Sequence, residues 1–196
     1  MAVEVRFEAG NLQQTATPSG YKMTAKSAVD VVLVSPSTLL TSRLAPYESW
    51  EVLLDSAKEN FEKLTKLLGR QKVIRIGARF INRIDIPNNM LKQYQLHDFL
   101  RLRVPLDTDL TEDTGSYSIA VNAVHRETGV KLLVQTATVN PVLLDCTSVM
   151  LDIDAFLDSQ IPQRFEDMWA KTELLRVAKN SIFEASITDK ARELFQ

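Results

Sequence analysis

One cysteine, two histidines and six glycines are what this chain has least of. A single thiol, Cys146, excludes an internal disulfide. A lone cysteine is most often a small buried hydrophobe, and the compartment reads as reducing, hence cytoplasmic. So few glycines, with no Walker loop and no G-x-G-x-x-G, argue against a backbone cradle for a nucleotide. No run approaches the roughly 18 uncharged apolar residues of a membrane span. Residues 1–20 lack the apolar run of a signal peptide. The formal net charge of −2 leaves no basic surplus. Nucleic acid is therefore not the favoured partner, although a local basic patch remains compatible with it.

What is present describes a folding chain. The 196 residues are 45% hydrophobic and 24% charged, near the average for globular proteins. At this length roughly 70% of the unfolded surface can be buried, so no metal or disulfide is needed for folding. Residues 3–7 form a possible strand, and residues 11–20, polar with Pro18 and Gly20, read as loop, giving an N-terminal arm over 1–20. Runs rich in Val, Thr and Leu follow at 21–26, 29–35 and 38–44, broken by the turn Ser35-Pro36-Ser37. Trp50, Leu53, Leu54, Ala57, Phe61, Leu64 and Leu68 recur at helical spacing and predict a helix over 49–68. Ser49 is its N-cap and Gly69 its C-cap.

Residues 73–87 alternate. Ile74, Ile76, Ala78, Phe80, Asn82, Ile84 and Ile86 share one face, and Arg75, Arg79, Arg83 and Asp85 the other. A short helix is expected over 91–103 and a loop over 104–114. A hairpin is expected from 117–125 and 130–140 across Arg126-Glu127-Thr128-Gly129. A strand over 142–153 and a long helix over 165–184 follow, and Thr188 caps a last helix. The whole reads as α+β: an antiparallel sheet packed by two long helices, in one domain over 21–196. Pseudo-repeat halves at 21–70 and 73–196 suggest a duplicated strand-helix-three-strand-helix unit.

Four stretches stand together: SRLAPYESWE at 42–51, ARFINRIDIP at 78–87, LDIDAF at 151–156 and KNSIFEASITDKARELF at 179–195. In order and spacing, from about Gly20 onward, they resemble a sporadically distributed family of bacterial and archaeal proteins with no established activity. The resemblance implies no cofactor and no catalytic residue. Members of that family begin with an extra strand and helix, where this chain has only residues 1–20, so a shortened N-terminus is expected. Residues 28–40 also lack the polar hairpin turn of the family. Its patchy distribution implies a link to mobile elements, phage defence or counter-defence.

The candidate sites each have a plainer reading. Arg75, Arg79 and Arg83 form a guanidinium row that could grip phosphate or carboxylate groups. The plainer reading is a solvated face, or pairing with Asp152 and Asp154. Asn82 interrupts an apolar face, where an unpaired amide costs roughly 1–3 kcal/mol. It contacts a ligand, bonds a backbone group or sits at a bulge. Asp152 and Asp154, with Asp145 or Glu166, are weak metal candidates. His97, His125 and Cys146 are the remaining catalytic residue types, without a nucleophile elbow. Tyr47, Trp50, Trp169, Phe183 and Phe195 read as core rather than as a binding patch. Three functions follow: a non-enzymatic interaction protein with a protein partner or itself as homodimer, through a bare edge strand; a nucleic-acid or nucleotide binder through the arginines; or a carboxylate-based enzyme.

Overall fold

The computed structural model describes residues 2–8, 11–17, 20–102 and 116–195. The expected loop over 104–114, and Arg103 with it, lies outside the described residues. The chain divides into two compact units, Met1–Gln71 and Lys72–Gln196. Both are α+β with antiparallel sheets, as the alternating and helical patterns predict.

In the first unit, β1 (Ala2–Glu8) and β2 (Asn11–Thr17) make a two-stranded antiparallel ladder, from Ala2 opposite Thr17 to Glu8 opposite Asn11. Residues 11–17 are thus a strand where their polar composition predicts a loop. Cross-strand pairing supplies what the segment's own pattern lacks. A second sheet runs β3 (Tyr21–Thr24), β4 (Asp30–Ser35) and β5 (Thr38–Arg43), with β4 central. Ser35 pairs with Thr38, so Pro36 and Ser37 form the predicted turn. Helix α1 (Trp50–Leu68) begins where Ser49 Oγ accepts from Val52 N at 3.3 Å. It ends at Gly69, whose φ of 72° is a left-handed value that any Cβ would strain. α1 packs beside β5, where Asn60 Nδ2 donates to Thr41 Oγ1 at 3.1 Å. Its apolar stripe is only half-buried, and no α1 residue is fully enclosed.

The second unit holds the main core. Its sheet runs β6 (Ile76–Pro87), β9 (Cys146–Leu157), β8 (Lys131–Val139) and β7 (Ser118–Val124), antiparallel throughout. The predicted hairpin forms β7 and β8, closed by His125 N to Val130 O and turned at Gly129, φ 68°. Helix α2 (Asn88–Leu91) follows β6, and α3 (Phe165–Ala170) and α4 (Thr172–Ser186) divide the predicted long helix at Lys171. α4 lies over β6 and β9. One sheet face, carrying Ile84, Ile86, Val149, Leu151, Ile153 and Leu132, is buried with Leu175 and Ala178 of α4. Each such aliphatic side chain contributes about 1.5–3 kcal/mol on burial. Thr188 caps α5 (Asp189–Glu193) as predicted, accepting from Ala191 N.

Three boundaries differ from the expectation. β6 starts at Ile76 because its partner there, Leu157, ends β9, so Ile74 has no strand to pair with and is 68% exposed. β9 starts at Cys146, opposite Pro87, and not at 142. Val142 and Leu143 are exposed instead, and Leu144 is 93% exposed. Residues 91–103 are not a continuous helix. Beyond α2 there is one 3-10 turn, Leu96–Asp98. The backbone of the next residues turns to the chain after α4: Arg101 N donates to Ser186 O, and Thr188 N to Phe99 O. The apolar spacing of Leu96, Phe99 and Leu100 is met by that turn, which buries Phe99 and Leu100. The aromatic set is not one core. Trp50, Trp169 and Phe183 are half-buried, while Tyr47 before α1 and Phe195 beyond α5 are exposed.

The alternation in β6 sets a stability contrast. Ile84→Ala, with no exposed surface at that side chain, is expected to cost about 2–5 kcal/mol. Ile74→Ala is expected to stay within about 0.5 kcal/mol. Equilibrium denaturation of both variants checks this, and equal losses contradict the strand start at Ile76.

Candidate functional site

The outer face of the four-stranded sheet collects the residues singled out for binding. Register puts Arg79 opposite Asp154 and Ile81 opposite Asp152. The guanidinium of Arg79 nevertheless reaches diagonally to Asp152. Nε donates to both carboxylate oxygens, at 2.9 and 3.1 Å, and Nη2 to Oδ2 at 2.5 Å. Asp152 is 2% exposed beneath it. This bond is the main reason that the Arg79 pKa is raised. Arg75, just before β6, reaches further along β9, to Asp154 at 2.8 Å, and lies 4.4 Å from the Phe156 ring centroid. Arg83 donates to Asp85 at 2.8 Å and to Ser148 Oγ at 3.0 Å, and Ser148 donates in turn to Asp85. The Ser148 hydroxyl first, and the Arg83 guanidinium after it, hold the Asp85 carboxyl below its ordinary range. Lys131 pairs with Asp158 at 2.8 Å.

Among the described residues each cation that these strands bring to this face therefore meets a carboxylate: Arg75 and Asp154, Arg79 and Asp152, Arg83 and Asp85, Lys131 and Asp158. A phosphate would have to compete with a bidentate carboxylate already in place. For the same reason Asp152 and Asp154 are occupied as acceptors, a poor starting state for acid-base work.

Asn82 sits on the inner face, and its amide donates to the carbonyl of Leu151, its own register partner, at 3.1 Å. The register from Ile76 opposite Leu157 to Pro87 opposite Cys146 has no slip, so no bulge is present. Two inner-face groups escaped the sequence reading. Lys179 of α4 lies 3.7 Å from the Phe80 ring centroid, and burial, with Arg176 nearby, lowers its pKa. Its spacing of four from Leu175 was the available signal. Tyr117 shares a 3.0 Å hydrogen bond with the buried Thr136, and burial raises its pKa. No pattern around either residue announced that pair.

The remaining candidates are scattered. His97 is exposed, 3.9 Å from Asp98. His125 bonds Thr128 Oγ1 at 2.9 Å in the β7–β8 turn. Val124, the residue before it, shares a sheet row with Lys131 and Phe156. Cys146 opens the other end of β9, ten residues or about 33 Å away at strand rise. They cannot form a Cys–His pair. Glu166 bonds Arg164 at 2.5 Å, and Asp145 lies in the turn before β9, where its carbonyl accepts from Asn88 N. Among the described residues no three His, Cys, Asp or Glu side chains gather as a metal site. No helix among them is long and apolar enough to cross a membrane.

The sheet edges are the other feature able to bind. Among the described residues β7 pairs only with β8. Its sequence, SIAVNAV, has no charge and no proline, and its register is free of bulges. Val121, on the core side opposite Val134, is still 39% exposed, and Val124 63%. Natural edges are usually blunted by charge, proline, a bulge or a cover, and β7 carries none of the first three. β3 also lies at an edge, with all four residues exposed, but it is short and includes Lys22.

The Asp85 network gives a pH test. A carboxyl whose folded pKa lies below its ordinary 3.8 contributes stability above that value, and the contribution is lost as pH falls through the folded pKa. Ser148→Ala removes the first cause. It is expected to cost about 1–3 kcal/mol at neutral pH, a loss that shrinks toward zero in denaturation measured below the carboxylate range. A loss that stays constant with pH assigns the effect to packing. Comparison of the whole chain with protein-family models, with curated proteins and with solved structures finds no match.

Proposed function

We propose that this protein is a non-enzymatic interaction module that captures an extended segment of a partner protein along β7. The observation that carries the reading is an edge that no second described strand pairs with: seven residues without charge, proline or bulge, with exposed Val121 and Val124. Such an edge offers main-chain donors and acceptors in alternation, and pockets between alternate side chains provide selectivity. The paired state of Arg75, Arg79 and Arg83 is why the nucleic-acid reading ranks lower, and the clamped Asp152 and Asp154 rank the enzyme reading lower still. We extend the proposal to a cytoplasmic role within the sporadically distributed bacterial and archaeal family that residues 42–51, 78–87, 151–156 and 179–195 resemble. Its patchy occurrence favours a partner from mobile elements, defence or counter-defence.

Ala120 and Asn122 point to the outer face from β7, opposite Gln135 and Leu133. Ala120→Lys with Asn122→Lys charges the edge without entering the core. The double variant is expected to melt close to the wild type, within about 0.5 kcal/mol. It is also expected to lose the protein that co-purifies with the wild type from cells of the native host. Hydrogen exchange of the purified complex should slow at β7. Equal retention by both proteins, or unchanged exchange at β7, overturns the reading.

A further inference from the structure

A second open edge lies at the opposite side of the same sheet. β6 pairs with β9 and with no other strand among the described residues. It is 12 residues long, and in an antiparallel ladder every other residue turns its N–H and C=O away from the existing partner. Its charges would ordinarily blunt it. They are, however, already neutralised on their own sheet by Asp152, Asp85 and Asp154. Arg79 Nη1 and Asp85 Oδ2 make no further bond within the described residues.

We propose that β6 pairs antiparallel with β6 of a second copy, about a two-fold axis through Asn82. Side-chain sense decides the register. A slip of one residue would bring the inner face of one copy against the outer face of the other. Among the registers that keep both faces continuous, centring on Ile81 sets Arg79 opposite Arg83, and centring on Arg83 shortens the overlap. Centring on Asn82 sets Arg79 opposite Asp85 of the second copy, twice, because a two-fold contact repeats every pair. The same register sets Ile81, 61% exposed, against the aliphatic stem of Arg83. Gly77 then meets Pro87 at each end, so nearly the full strand is used. The product is one continuous eight-stranded sheet, with a free β7 at either rim. This dimer uses a different edge from the partner site on β7 and stands or falls separately.

Two measurements on the full chain test it, both beginning from Cys146→Ser to remove the native thiol. Light scattering at micromolar concentration is expected to give twice the 22.1 kDa chain mass, and the Ala120→Lys, Asn122→Lys variant is expected to keep it. Under oxidation, Asn82→Cys is expected to form a covalent dimer, since directly opposed Cβ atoms lie about 4.5–5.5 Å apart. Ile81→Cys and Arg83→Cys alone are expected to stay uncrosslinked, but a mixture of the two should form a covalent heterodimer. Should Asn82→Cys lose its fold, that mixture carries the decision. A monomer mass, a dimer without these crosslinks, or a crosslink in Ile81→Cys or Arg83→Cys alone overturns the proposal.

Discussion

The ladder between β6 and β9 is the constraint from which the rest of the second unit follows. Twelve residues on each strand pair without a slip. Because the side-chain period is two, this one register decides which side of each strand is buried. It sends Ile84, Ile86, Val149, Leu151 and Ile153 under α4 and sends Arg79, Arg83, Asp152 and Asp154 to the other side. The two strands also end each other: β6 cannot begin before Leu157 finishes β9, and β9 cannot begin before Pro87 closes β6. The ion pairs are a second consequence. Arg79 and Asp152 are 73 residues apart in sequence, and only this register brings them within reach.

That dependence explains what the sequence revealed and what it hid. Local periodicity was enough for α1, for its caps at Ser49 and Gly69, for the hairpin around Gly129 and for the core face of β6. Each of these is decided within a few residues of chain. The arginine row was visible too, and the guess that Asp152 and Asp154 answer it agrees with the contacts formed. The errors fall where a distant segment decides. β2 is polar and becomes a strand through β1. The segment after α2 gives up helical bonds because Ser186 and Thr188 offer better-placed partners. Val142, Leu143 and Leu144 have the composition of a strand, but β6 has no residue left to pair with them. The edges were illegible for the same reason. Whether a strand is central or marginal is a property of sheet order, and SIAVNAV reads alike in either place.

Burial also separates the two units in character. In the second, many side chains have no exposed surface at all. In the first, the described apolar side chains are half-buried or exposed, Val31 excepted, and Tyr21, Met23 and Leu67 are among the exposed. Its order rests more on ladders, the Ser49 cap and polar links such as Asn60 to Thr41 and Arg43 to Glu48 than on an enclosed core. Links of that kind contribute roughly 1 kcal/mol each, so this unit is expected to open at lower free energy than the sheet of the second.

Charge decides where the molecule can bind. A face whose guanidinium groups are all matched by carboxylates has little field left to attract an anion from a distance. It is well suited to meeting a surface that carries the same alternation of signs, because each pair can rearrange without leaving a buried ion alone. In the proposed dimer a copy of itself would supply that alternation at β6, with Arg79 set opposite Asp85 of the second copy. β7 itself carries no charge, so in the proposed capture of an extended segment selectivity would come from shape between Val121, Val124 and their neighbours. The two edges of one sheet thus differ in kind: β6 carries both signs of charge, and β7 carries none.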